Sequence, residues 1–237
     1  MSIGMASNER ALLATTQTLV ADGKCLLTMD ESNPTRNERF AAHGIPQTEE
    51  MRRAYREMIV TTPHLGDDIN GAILYDETIR QTTADGRSFE LVLAEAGIIP
   101  SIKVNMGAKD LAGHPGEKIN EGLDGLRERL AEYFKMGARF AKWRAVFANG
   151  DNVPSRSCIE ANAHGLAHYA ALCQETGLLP ILEPEAQHVA FRSELSRARR
   201  STRRRCAGAE MKPVVNAQDP TRTGRQQLSN TGQDLAE

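Results

Sequence analysis

The chain has 237 residues, 40% hydrophobic and 25% charged, with a formal net charge of −2. That is the composition of an ordinary globular protein, long enough for a sizeable core in one large domain or two small ones. No uncharged apolar run approaches the ~18 residues of a transmembrane helix, and the N-terminus has no basic region leading into an apolar one, which argues against secretion. Cys25, Cys158, Cys173 and Cys206 show no CxxC spacing. They read as reduced thiols of a cytoplasmic protein.

In chain order, "MSIGMASNERALLATTQTLVADG" fits an amphipathic helix. "GKCLLTMDES" then reads as an apolar strand ending near Asp30, and "TEEMRRAYREMIV" as a helix whose acidic first turn suits the macrodipole. A second strand, "GAILYDET", ends near Asp76 and Glu77. From there a rhythm sets in. Gly97, Gly137 and Gly177 fall forty residues apart, each after a helical pattern and each before an apolar run. Glycine just past a helix can take the left-handed conformation that stops it. The three runs, "IIPSIKV", "ARFAKW" and "LLPILEP", bring Lys103, Lys142 with Arg144, and Glu183 to their ends.

Helix, stop and short strand, repeated, is the pattern of βα units around a parallel sheet. Such folds place their sites at the carboxyl ends of the strands. Five charged strand ends in succession therefore describe a polar site on an apolar scaffold. "FAKWRAVF" alone leaves two readings open. Lys142 and Arg144 share one face of a strand, so the segment is either a half-solvated edge with its basic side outward or part of that site.

Lys103, Lys142 and Arg144 form a positive patch suited to phosphate, and Asp30 and Glu183 supply carboxylates for acid–base work. Clustered cations also lower the pKa of a neighbouring lysine and favour its neutral, nucleophilic form. Together these groups suit carbon–carbon chemistry on a sugar phosphate through a Schiff base, or the site of a more general phosphosugar barrel.

After Ala186 the character changes. "FRSELSRARRSTRRRCAG" and the polar stretch that follows lack the apolar residues for a core, so residues 187–237 are expected to form a disordered tail beside a folded domain of residues 1–186.

The segments "LLTMDES", "GAILYDETIRQTTADGRSF", "GIIPSIKVNMGAKDLAGHPGEKINEGLDGLRERLAEYFKMGARFAKWR" and "NAHGLAHYAALCQETGLLPILEPE" come in the order seen in class I fructose-bisphosphate aldolase. The resemblance runs from about residue 8 to residue 185. It implies a (β/α)₈ TIM barrel, here incomplete at about five βα units. It also implies a cytoplasmic, usually tetrameric enzyme of glycolysis, which cleaves fructose 1,6-bisphosphate reversibly into glyceraldehyde 3-phosphate and dihydroxyacetone phosphate with no metal or other cofactor.

By the same resemblance Asp30, Lys142, Glu183 and Glu185 are catalytic, and Arg39, Lys103 and Arg144 bind substrate. The family's Schiff-base lysine lies within L-L-K-P-N. The candidate for that role is the lysine after Lys142, Lys212, in "EMKPVVN", which keeps Lys-Pro but arrives about ten residues before the position the repeat would give and without the preceding helix or L-L. Two further departures stand out. "IKVNMG" replaces I-K-V-D-K-G, putting Asn105 and Met106 where the family has an acid and a base. The loop "NPTRNERF" differs from S-T-G-x-x-x-K-R while keeping Arg39.

Three barrel strands and the later phosphate loop have no counterpart, as a frameshift would produce. A catalytically inactive remnant is accordingly the alternative to an enzyme. Two other readings are weaker. His164 and His168 have metal-ligand spacing on a helix but no third partner, and read as a helix flank. The arginines of Arg192–Arg205 could bind nucleic acid, yet no aromatic residue interleaves with them.

Overall fold

The computed structural model describes residues 3–21 and 23–188. The expected tail from residue 189 on, Lys212, Cys206 and the arginine run lie outside the described residues, whereas Gln187 and His188, expected to open that tail, end the last strand of the sheet.

In chain order the elements are α1 (Ile3–Leu19), β1 (Cys25–Thr28), α2 (Asn33–Ala42), α3 (Glu49–Val60), α4 (Leu65–Asp68), β2 (Ile69–Leu74), α5 (Asp76–Ile79) and α6 (Phe89–Glu95). Then follow β3 (Ile99–Lys103), β4 (Ala108–Asp110), β5 (Lys118–Asn120), α7 (Leu126–Lys135), β6 (Phe140–Asn149), α8 (Arg156–Thr176) and β7 (Leu179–His188). Strands β1, β2, β3, β6 and β7 form one sheet in that order, every pair parallel. This is an open parallel half-barrel. A small antiparallel ribbon, β4 with β5, interrupts the repeat between β3 and α7.

Local chemistry explains the ends of these elements. The Thr48 side chain accepts a hydrogen bond from the Met51 N–H at 3.2 Å and starts α3. Gly97, Gly137 and Gly177 follow α6, α7 and α8 at φ 75°, 103° and 88°, the left-handed values that the stops require. The segment "NPTRNERF", read as a loop, is helical in α2. Pro34 sits in its first turn, where the missing N–H costs nothing, and Phe40 and Arg36 are buried. Its single large apolar residue left no helical period in the sequence.

Side chains alternate across the sheet. Ala72, Leu74, Ile102, Ala141, Trp143 and Ala145 join the main core with the covering helices, and Trp143 packs against Tyr169 of α8 at 5.4 Å between ring centroids. On the opposite face Ile73 and Phe140 pack with Leu19 of α1, with Ile99, Leu179 and Ile181 partly buried beside them. Gly71 belongs to that layer. A Cβ there would come within 2.7 Å of Leu19 Cδ2 and 3.0 Å of Phe140 Cε1, so the glycine lets the layer close. Among the described residues β1 and β7 have one strand neighbour each. β6 has two, which removes the reading of "FAKWRAVF" as an edge strand.

Candidate active site

The apolar face around Phe140 turns charged one step further along each strand. Register pairs Lys103 with Lys142, and Arg144 with Glu183. With Asp30, just past β1, these residues line a cavity of about 870 Å³ over the strand ends.

At its base Lys142 Nζ lies 2.8 Å from Asp30 Oδ2 and 3.3 Å from Glu183 Oε2. Lys142 is 6% exposed and Asp30 8%, so the ammonium and carboxylate exchange water for each other. Such a pair persists only with close geometry. Glu183 Oε2 is buried with no hydrogen-bond partner and faces Lys142 by charge alone.

Lys103 Nζ donates to the Asp30 backbone carbonyl, lies 3.9 Å from Asp30 Oδ2 and sits 5.1 Å from the Tyr75 ring centroid. Burial lowers the Lys103 pKa; Asp30 opposes the shift, while Lys142 and Arg144 add to it. The expected effect of clustered cations on a lysine therefore falls on Lys103, with burial as its first cause.

Arg144 Nε donates to Glu185 Oε2. That bond raises the Arg144 pKa and holds the Glu185 carboxyl below its ordinary value. Arg39, from α2, also lines the cavity, but its side chain is 59% exposed and Nη1 is bound to Glu31 Oε1 at 2.8 Å. Asp30, Arg39, Lys103, Lys142, Arg144, Glu183 and Glu185 thus meet around one cavity.

The second strand end delivers less than the sequence suggested. Asp76 reaches the cavity and accepts from Tyr133 Oη at 2.8 Å. Glu77 is held by Arg52 through two hydrogen bonds of 2.7 Å and by Asn33, and does not line the cavity. His164 and His168 lie exposed on α8, their ring centroids 6.4 Å apart.

Sequence reasoning missed Glu31. Its carboxylate accepts from Arg36, from Arg39 and, at 2.8 Å, from Arg56. Arg36 and Arg56 are 5% and 3% exposed, and the Arg36 guanidinium lies 4.0 Å from the Tyr55 ring centroid. Burial pushes the Glu31 pKa up, but Arg56, then a hydrogen bond from its own backbone and then Arg36 outweigh it and hold the carboxyl below its ordinary value. Burial lowers the Arg56 pKa, and Glu31 opposes that shift. A signal was present: Arg52 and Arg56 sit at i and i+4 of α3 and so share a face, opposite glutamates that follow the first two strands.

Fold and cavity together define the open half of a parallel α/β barrel with a charged cavity over its strand ends. The family model described as fructose-bisphosphate aldolase class-I matches residues 11–199, and the chain belongs to that family. It is 61% identical over 174 residues to a probable fructose-bisphosphate aldolase class 1 of Xanthomonas campestris, covering 73% of this chain and 52% of that one. It is 48% identical over 174 residues to the cytosolic fructose-bisphosphate aldolase 4 of Arabidopsis thaliana, covering 73% of this chain and 44% of that one. Among solved structures, a fructose-bisphosphate aldolase from Plasmodium falciparum superposes with a TM-score of 0.74 at 42% identity, over 76% of this chain and 53% of that one. The chain thus spans about half the length of the curated relatives it matches.

Proposed function

We propose that the chain carries out the class I reaction of its family, the reversible, metal-independent cleavage of fructose 1,6-bisphosphate into glyceraldehyde 3-phosphate and dihydroxyacetone phosphate. The observation that carries this reading is Lys142 within 3.3 Å of both Asp30 and Glu183, beneath a cavity that Lys103 and Arg144 make attractive to phosphate. In this reading Lys212 attacks the ketone carbon and loses water to give a protonated imine. A carboxylate of the Asp30–Lys142–Glu183 group takes the proton of the C4 hydroxyl. The C3–C4 bond then breaks, with its electron pair drawn into the imine to leave an enamine and free glyceraldehyde 3-phosphate. Arg39, Lys103 and Arg144 hold the phosphates, and Arg144 keeps Glu185 ionised beside them. A cytoplasmic homotetramer belongs to the same proposal.

The test is borohydride reduction of the full chain with dihydroxyacetone phosphate, followed by peptide mapping. The expected product is one triose phosphate per chain on Lys212, lost in Lys212→Ala. Labelling that survives in Lys212→Ala would refute that lysine's role. No labelling at all would support a second reading, an inactive remnant of the family. The observation favouring the remnant is that, among the described residues, the two end strands of the sheet are partly bare: Leu26 of β1 and Leu182 of β7 are 37% and 46% exposed.

A further inference from the structure

The cavity depends on where β6 points Arg144, yet the ladder that holds β6 to β3 ends one step too early. Its last paired residues are Lys103 and Lys142, and the Val104 N–H donates to the Lys142 carbonyl at 3.1 Å. The next donor on β6 is the Arg144 N–H, whose regular acceptor in a parallel ladder is the Val104 carbonyl. Arg129 takes that carbonyl instead, through Nη1 at 3.0 Å. Two donors of β6, at Arg144 and Val146, would then lack a strand to bond to, and an unmet buried donor is costly.

Side chains fill the gap. Asn105 Oδ1 accepts from the Arg144 N–H at 3.2 Å, and Asn120 Oδ1 accepts from the Val146 N–H at 3.0 Å. Asn120 ends β5 and is itself held: its N–H donates to Asn162 Oδ1 at 3.4 Å. Asn162, on α8, donates to the carbonyls of Lys118 and Cys158 at 2.9 and 3.0 Å. Asn120 and Asn162 are 7% and 3% exposed. Because the Arg144 N–H can only donate, the amide oxygen of Asn105 must face it. Aspartate, which the family pattern places here, could accept the same bond but would bring a negative charge to the wall beside Lys103 and Arg144.

We propose that Asn105 and Asn120 are positioning residues, their amide oxygens replacing the missing strand edge along β6 and thereby fixing Arg144 at the cavity. The consequence for ligand binding rests on the reading of that cavity as a phosphate site. Two measurements on the full chain separate the claims: amide hydrogen exchange at Arg144 and Val146, and calorimetric binding of inorganic phosphate. In Asn105→Leu, exchange at Arg144 is expected to speed up, and phosphate affinity to fall, by about tenfold each. Asn105→Asp keeps the acceptor and restores slow exchange. Asn120→Leu moves Val146 in the same way. Should the leucine variants fail to fold, Asn105→Ala and Asn120→Ala remove the acceptors without adding bulk. Wild-type exchange at Arg144 in Asn105→Leu or Asn105→Ala, or fast exchange in Asn105→Asp, would overturn the proposal. A wild-type chain that does not bind phosphate would overturn the reading of the cavity, while the exchange result still decides the positioning role.

Discussion

Replacing Lys142 by methionine tests the charge arrangement at the base of the cavity. The side chains of Lys142 and Asp30 are 7% and 12% exposed and lie 2.8 Å apart. Removing one member of a buried pair strands the other, at a cost of about 3–5 kcal/mol. Lys103 remains 3.9 Å from Asp30 Oδ2 and offsets part of that, so the lower end, about 3 kcal/mol, is the expectation. Glu183, with its side chain 41% exposed, adds no more than about 1 kcal/mol. The assay is urea unfolding of the full chain at neutral pH. A double variant, Lys142→Met with Asp30→Leu, removes both charges and should recover to within about 1 kcal/mol of the wild type. A single variant that loses less than about 1 kcal/mol, or a double variant no more stable than the single one, would refute the reasoning.

Two further outcomes follow from the same geometry. The folded pKa of Glu31 is depressed below its ordinary value of 4.5. Its stabilising contribution is therefore present above 4.5 and is lost as pH falls through the lower folded value. Glu31→Gln should be clearly less stable than wild type at pH 7, by about 2–3 kcal/mol, with the gap narrowing in acid; a gap in urea midpoints independent of pH would contradict this. Trp143→Ala empties a site 1% exposed against Tyr169 and should cost about 3–5 kcal/mol in thermal unfolding. Phosphate binding below the new midpoint should survive, because Lys142 and Arg144 project from the opposite face of β6.

Much of this was legible in the residues. A period of two along "FAKWRAVF" already puts Lys142 and Arg144 on one face and Trp143 on the other, whatever strands lie alongside. Glycines after three helical patterns, followed by apolar runs that end in charge, were enough for a parallel sheet with a charged rim, since helix stops and strand alternation are local properties of the chain. Local patterns could not say how those charges are spent. That Glu77 is held by Arg52 while Asp76 reaches the cavity was decided by where α3 packs. That Arg56 joins Arg36 and Arg39 of the neighbouring α2 on Glu31 was decided in the same way. The place of β6 between two neighbours, and the amides of Asn105 and Asn120 that complete its bonding, also required the tertiary structure. The physical reason is range: a residue's conformation and the face it takes depend on neighbours a few positions away, whereas the partner of a charge or an amide is fixed by segments distant in sequence that packing brings together.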